Sequence, residues 1–364
     1  MDSSEAGRKV AAHLAAAIHP TRPAPEALVA GGQDATVWLD LLPRHRVAGL
    51  VARALESAGL IKSLGDEARL RLQRLVMHDQ RERAALDRAM GVAVATLAGA
   101  GIESILLKGA ALGMTLYREG VLRPMSDVDL LVRETALAPA LDALAAAGFG
   151  LPDARDRAFW REAYYNLPTT APGAGAVSVE MHWSIAQERH RPDLEGLFAR
   201  AREAVKGERS YRVFSLPDLL LHQVLHHAYH TFQPKLIWIH DLALVHLTRP
   251  PLGESTARAR AWGMSIPLAL SCRQVEKVFP GVVAAEWVAW GRRQLRARAL
   301  GRCFASREPL GLLSRWQQRR WQLLYAFLMI DRPYTALRGL AAWAHRSRRF
   351  GDREGHERLA QRRQ

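Results

Sequence analysis

Hydrophobic and polar residues alternate at two different periods along this chain, and the change of period divides it. From His45 to Gly59 and from Glu67 to Ala100, apolar residues recur at spacings of three and four with charges between them. That is the period of helices buried along one face. Gly99-Ala100-Gly101 breaks the pattern. The texture then changes. Ile102–Leu107 is a short apolar run that predicts a buried strand, and Gly109–Tyr117 reads as a short helix. Asp127–Val132 predicts a second strand, and Glu134–Ala147 an Ala- and Leu-rich helix ended by Gly148. Ala163–Leu167 reads as a third strand and Pro168–Gly175 as a hairpin loop. Strict alternation follows: Val177, Val179, Met181 and Trp183 face one way, and Ser178, Glu180, His182 and Ser184 the other. From Leu216 the helical period returns, opened by Pro217-Asp218. It predicts helices over Leu219–Phe232, Lys235–Leu247, Ile266–Phe279 and Arg315–Ile330.

These patterns predict an α+β protein in which a small mixed sheet flanked by helices has helical segments before and after it. The expected divisions are an N-terminal helical region at 1–100, a mixed core at 101–215, a C-terminal helical domain at 216–345 and a basic tail at 346–364. The tail is rich in Arg and poor in apolar residues, so it is expected to be disordered.

Composition narrows the partners. The formal net charge is +15, which favours anionic ligands such as nucleotides or nucleic acid. Only six of the 51 basic residues are Lys, and the arginines are spread along the chain, so coding bias competes with a polyanion surface as the explanation. Two cysteines, Cys272 and Cys303, cannot build a disulfide framework or a zinc ribbon, and both sit in apolar helical surroundings as expected core thiols. A reducing cytoplasm fits them. Met1–Pro20 has scattered charges and no clean apolar stretch, so no secretory leader is expected. No apolar run reaches the roughly 18 residues of a membrane span.

Candidate chemistry centres on Ser126-Asp127-Val128-Asp129. On a strand, residues two apart share a face, so both carboxylates point the same way, about 6.5 Å apart along the backbone. Two such anions repel unless a cation lies between them. Mg²⁺ suits the role, because it takes one or two carboxylates and completes its shell with water and phosphate oxygens. Glu180, on the polar face of a later strand, supplies a third carboxylate if that strand pairs beside the first. Lys108-Gly109 lies at a strand-to-helix junction, where backbone N–H groups and the helix dipole favour phosphate. Arg123, four residues before the first Asp, is placed to pair with phosphate or to lock a carboxylate. Pro124 and Ser126 fit a tight turn into the strand.

Together, Leu106-Leu107-Lys108-Gly109, Leu116-Tyr117, Arg123, Ser126–Val132 and Glu180-Met181-His182-Trp183 resemble the uncharacterised nucleotidyltransferase family of the DNA polymerase β-type superfamily. Leu236–Ala243 is similar to that family's C-terminal motif, and the resemblance covers roughly residues 45–280. It implies that Asp127, Asp129 and Glu180 are the catalytic carboxylates and bind Mg²⁺ or Mn²⁺. Lys108, Gly109, Arg123 and Ser126 would face the nucleotide. The implied substrate is an NTP, with ATP the expected donor, and the implied acceptor is a small molecule, RNA or protein. The superfamily's usual Gly-Ser pair is replaced here by Lys108-Gly109, at a longer distance from Asp127.

His222, His226 and His230 recur every four residues on one helix, with His227 beside them and His240-Asp241 following. A metal site or nucleotide wall competes there with a packed amphipathic helix, and the packed helix is favoured because no His-Glu-x-x-His motif is present. By the resemblance, His226, His230 and Asp241 would border the cleft. Two other functions remain open at this stage: a catalytically silent regulatory module of the same fold, and a nucleic-acid-binding helical protein in which the Asp pair is incidental.

Overall fold

The structure is a computed structural model of the chain, and it describes residues 3–30, 35–117, 121–173, 177–186, 190–229 and 235–305. The expected helix Arg315–Ile330, the basic tail and His230 lie outside the described residues, as does the side chain of Cys303. The chain packs as two units. One comprises described residues of 3–81, 115–124 and 216–305, and the other comprises those of 82–114 and 125–215.

The second unit holds a six-stranded sheet: β1 (Ile105–Leu106), β2 (Asp127–Leu131), β3 (Asn166–Thr170), β4 (Ser178–His182), β5 (Arg202–Lys206) and β6 (Arg209–Val213). Their order is β3-β4-β2-β1-β6-β5. β2 runs parallel to β4, and β1 parallel to β6. The pairs β1–β2, β3–β4 and β5–β6 are antiparallel. The fold is therefore α+β with a mixed sheet.

The alternation read from the sequence becomes the two faces of this sheet. Val128 and Leu130 on β2 and Val179 and Met181 on β4 are fully buried, together with Leu106, Leu167 and Val213. They pack with Leu86, Met90, Ala93 and Leu97 of the helix Asp66–Gly99, and with Leu137, Ala140 and Leu144 of the helix Leu137–Ala146. The intervening residues, Asp127, Asp129, Glu180 and His182, occupy the other face.

Two sequence expectations change, and one hairpin is added. The strand expected at Ala163–Leu167 is the end of a helix, Ala154–Ala163, followed by β3. The Asp153 carboxylate caps that helix by accepting from the Asp156 N–H at 2.8 Å. Pro168, expected in a loop, lies inside β3; this is tolerated because β3 is an edge strand, where a missing N–H costs no ladder bond. No expectation covers the β5–β6 hairpin: four of the five β5 residues are exposed, β6 alternates only at buried Tyr211 and Val213, and Gly207 at φ 61° makes the turn.

The first unit is helical. Its C-terminal part includes Leu216–Tyr229, Leu236–Leu247, Leu252–Trp262 and Ser265–Val278. Its interior carries paired charge: fully buried Asp218 accepts from Arg258 at 2.7 Å. His222 and His227 are buried, and His226 packs edge-on against Trp238 with ring centroids 5.0 Å apart, as a packed helix requires. Cys272 is buried in the same unit, and burial pushes its thiol up to about 12. No helix among the described residues is long and apolar enough to cross a membrane.

If the apolar face of β2 is what holds the polar face in place, Leu130→Ala should cost about 2–5 kcal/mol, the usual range for emptying a packed core site. Urea denaturation followed by circular dichroism measures it, with an unchanged m-value marking an unaltered unfolding unit.

Candidate active site

The sequences Asp-Val-Asp on β2 and Glu-Met-His on β4 have the same polar–apolar–polar form, and parallel pairing sets them side by side. The register matches Asp127 with Ser178, Asp129 with Glu180 and Leu131 with His182. Adjacent strands lie about 4.8 Å apart, so the Asp129 and Glu180 side chains rise from neighbouring positions on one face. Buried apolar residues stand behind each of them, which restricts both strands to this register, since a one-residue slip would turn every carboxylate into the core.

Asp129 is 1% exposed, and a carboxylate in such a place must be compensated. Two donors converge on its Oδ1: Lys108 Nζ at 2.5 Å and His182 Nε2 at 2.8 Å. Glu180 Oε2 accepts from Asn166 Nδ2 at 2.8 Å, and lies 3.5 Å from His182 Nε2 and 3.9 Å from Lys108 Nζ. Burial alone would push the Asp129 carboxyl up, but Lys108 and then His182 outweigh it and hold that carboxyl well below the usual carboxylate range. The same balance acts in reverse on the bases. Burial would lower Lys108, yet Asp129, Glu180 and Asp127 raise it above an ordinary lysine. Burial would lower His182, yet its hydrogen bonds to Asp129 and Glu180 raise it.

Lys108 reaches Asp129 from an unusual backbone. β1 ends just before it, where the Leu107 N–H donates to the Asp129 carbonyl at 3.0 Å, and the helix Lys108–Thr115 begins at once. The turn between them puts Lys108 at φ 41°, a region that favours glycine, so the junction carries backbone strain at a charged side chain. Gly109, in the first turn, is buried; Ser126, just before β2, is exposed; Asp127 is half-buried.

Of the two partners the sequence allows Arg123, the structure provides a carboxylate. Arg123 belongs to the helical unit, where Nε and Nη2 donate to Asp241 at 3.0 and 2.7 Å and Nη1 donates to the Pro124 carbonyl. The Tyr117 hydroxyl donates to the same Asp241 at 2.6 Å. His240, beside them, is held down at about 4 by burial and is neutral. The residue that sequence reasoning left out of the site is His182. It stands within the motif used for the family resemblance, and its position two residues after Glu180 was the available signal. Among the described residues, Asp129, Glu180 and His182 form the group whose ligand atoms lie close enough to share a metal ion, all within 4.8 Å of one another.

Comparison with known families gives one match. Residues 32–280 fit the family model described as uncharacterised nucleotidyltransferase. Among curated proteins, none matches the chain.

Two expected outcomes follow from this geometry. His182 has a folded pKa above its free value, so its contribution to stability is complete below about pH 6.5 and is lost as pH rises through the raised value. In chelator-treated protein, the melting temperature of the wild type should therefore exceed that of His182→Gln most at pH 6 and below, with the gap narrowing as pH rises. Separately, Asp241→Ala leaves Arg123 buried without its carboxylate, and should cost about 3–5 kcal/mol in chemical denaturation.

Proposed function

The chain belongs to the uncharacterised nucleotidyltransferase family, and from that premise we propose that it transfers an NMP from an NTP, with ATP the expected donor, to a hydroxyl or phosphate of an acceptor, releasing pyrophosphate. The observation that carries the reading is the β2–β4 register, in which Asp129 stands opposite Glu180 while Asp127 shares their face.

The donor set fits a divalent cation, since carboxylate oxygens are its ordinary ligands and those of Asp129 and Glu180 are clustered here. Asp127, Asp129 and Glu180 would hold it; once bound, a divalent cation neutralises phosphate charge and lowers the pKa of the attacking hydroxyl. The protein's own residues supply position and charge. Asp129, held ionised by Lys108 and His182, suits the part of a ligand and is a poor proton acceptor at neutral pH. Asn166 donates to Glu180 Oε2 and so orients that carboxylate. Lys108 is a flexible cation at the N-terminus of the helix Lys108–Thr115, where the backbone N–H groups of the first turn add to its attraction for phosphate. Gly109, in the first turn of that helix, and Ser126, one residue before Asp127, would let phosphate oxygens approach the backbone. The apolar backing of β2 and β4 keeps the carboxylates from rearranging as charge moves in the reaction, which is how a site of this kind lowers a barrier.

Incubation with each α-labelled NTP, Mg²⁺ or Mn²⁺ and a cell extract should move label into an acceptor, and Asp129→Asn should abolish that transfer while the far-ultraviolet spectrum stays the same. Full activity in Asp129→Asn would overturn the assignment. Nucleotide binding without any transfer would favour the silent regulatory reading instead. Lys108→Met should raise the KM for NTP by about 10–100-fold, the equivalent of losing a hydrogen bond to a charged group worth about 1.5–3 kcal/mol.

A further inference from the structure

His182 is held in place by more than the motif it belongs to. Its side chain is 2% exposed, and the ring of Tyr165 lies against it with centroids 5.9 Å apart. Nε2 faces two carboxylates, Asp129 at 2.8 Å and Glu180 at 3.5 Å. Nδ1 is buried and has no hydrogen-bond partner among the described residues. All of the ring's polar contact is thus directed through Nε2 into the carboxylate pair. With no metal bound, Nε2 carries the hydrogen it donates to Asp129, and a divalent ion would take that hydrogen's place. A proton on Nε2 serves Asp129 well but reaches Glu180 poorly at 3.5 Å. A divalent ion serves all three groups.

We propose that His182 Nε2 is a ligand of the metal centre, and that the centre is thereby a mixed carboxylate–imidazole site that selects a first-row transition ion, with Mn²⁺ as the probe, over Mg²⁺. The inference rests on the nucleotidyltransferase reading of the same site. Two ligands of one ion, each about 2.1 Å from it, lie no more than about 4.2 Å apart. The donor atoms of Asp129, Glu180 and His182 all lie within 4.8 Å of one another, so small side-chain rotations close the set. Asp129 Oδ1 is also the atom that accepts from Lys108, whose side chain is 21% exposed, so a bound ion would displace the Lys108 ammonium from that oxygen. The selectivity follows from ligand chemistry: Mg²⁺ takes oxygen donors almost exclusively, while imidazole nitrogen strengthens binding of the later divalent ions.

The test uses the full-length chain, stripped with chelator and titrated with MnCl₂ or MgCl₂ without nucleotide. Mn²⁺ binding is read by electron paramagnetic resonance, and Mg²⁺ affinity by its competition against Mn²⁺. Pulsed spectra of the Mn²⁺-loaded protein, prepared with ordinary and with ¹⁵N-labelled histidine, report whether a histidine nitrogen is bound. The expected results are a histidine-nitrogen coupling in the wild type and its loss in His182→Ala. That variant should also bind Mn²⁺ about 10–100-fold more weakly, with Mg²⁺ affinity little changed. Mn²⁺ bound without a histidine coupling would overturn the inference and leave the proposed function standing, as would a coupling that survives in His182→Ala. Failure of both ions to bind would overturn the inference and the proposed function together. The wild-type spectra decide the matter even if the variant does not fold.

Discussion

A carboxylate sealed inside a sheet can stay ionised only if charge of the opposite sign is brought to it, and Asp129 meets that condition through a single oxygen. Lys108, from the junction after β1, and His182, from the end of β4, both place an N–H on Oδ1. Three separate stretches of chain must be correctly assembled before either contact exists. The short β1 strand, the parallel pairing of β2 with β4 and the strained turn at Lys108 all serve this one atom. The cost of burying the charge is what makes the arrangement specific: removing any partner leaves another charge buried and unmatched.

The two faces of the sheet divide the labour. The apolar face, closed by the helices Asp66–Gly99 and Leu137–Ala146, supplies stability and rigidity. The polar face collects like charges that would repel one another without Lys108 and His182. The donors and acceptors of this face are already assembled around Asp129, and the proposed function has a cation and a phosphate take over their positions. The chain belongs to the uncharacterised nucleotidyltransferase family, and a centre that takes both cation and phosphate, as proposed for this one, is suited to nucleotidyl transfer.

Much of this was legible in the sequence, for a definable reason. The Asp127–Asp129 pair and the Val177–Ile185 alternation carry the period of a half-buried strand, and that period alone assigns each residue to a face. The parallel pairing of β2 with β4 was only a condition in the sequence, because register is a long-range property. The β5–β6 hairpin was not legible: β5 is an exposed, charged edge with no alternation to read, and β6 offers only the short alternating pair Tyr211 and Val213. The displacement of the third strand to Asn166–Thr170 turned on Pro168, which reads as a loop residue everywhere except at a sheet edge. Arg123 was legible as a residue needing an anionic partner, but the identity of that partner, Asp241, lies 118 residues away. The role of His182 was visible only as a face assignment, and became chemistry once Asp129 stood beside it.

The most direct test of the central claim, that the β2–β4 carboxylates form the metal centre of a nucleotidyltransferase, is anomalous diffraction from crystals soaked with Mn²⁺ and a non-hydrolysable NTP. The account predicts an anomalous peak among Asp127, Asp129 and Glu180, with triphosphate density reaching towards Lys108 and Gly109. An ordered nucleotide bound elsewhere, with no metal at these carboxylates and Lys108 still on Asp129, would contradict it.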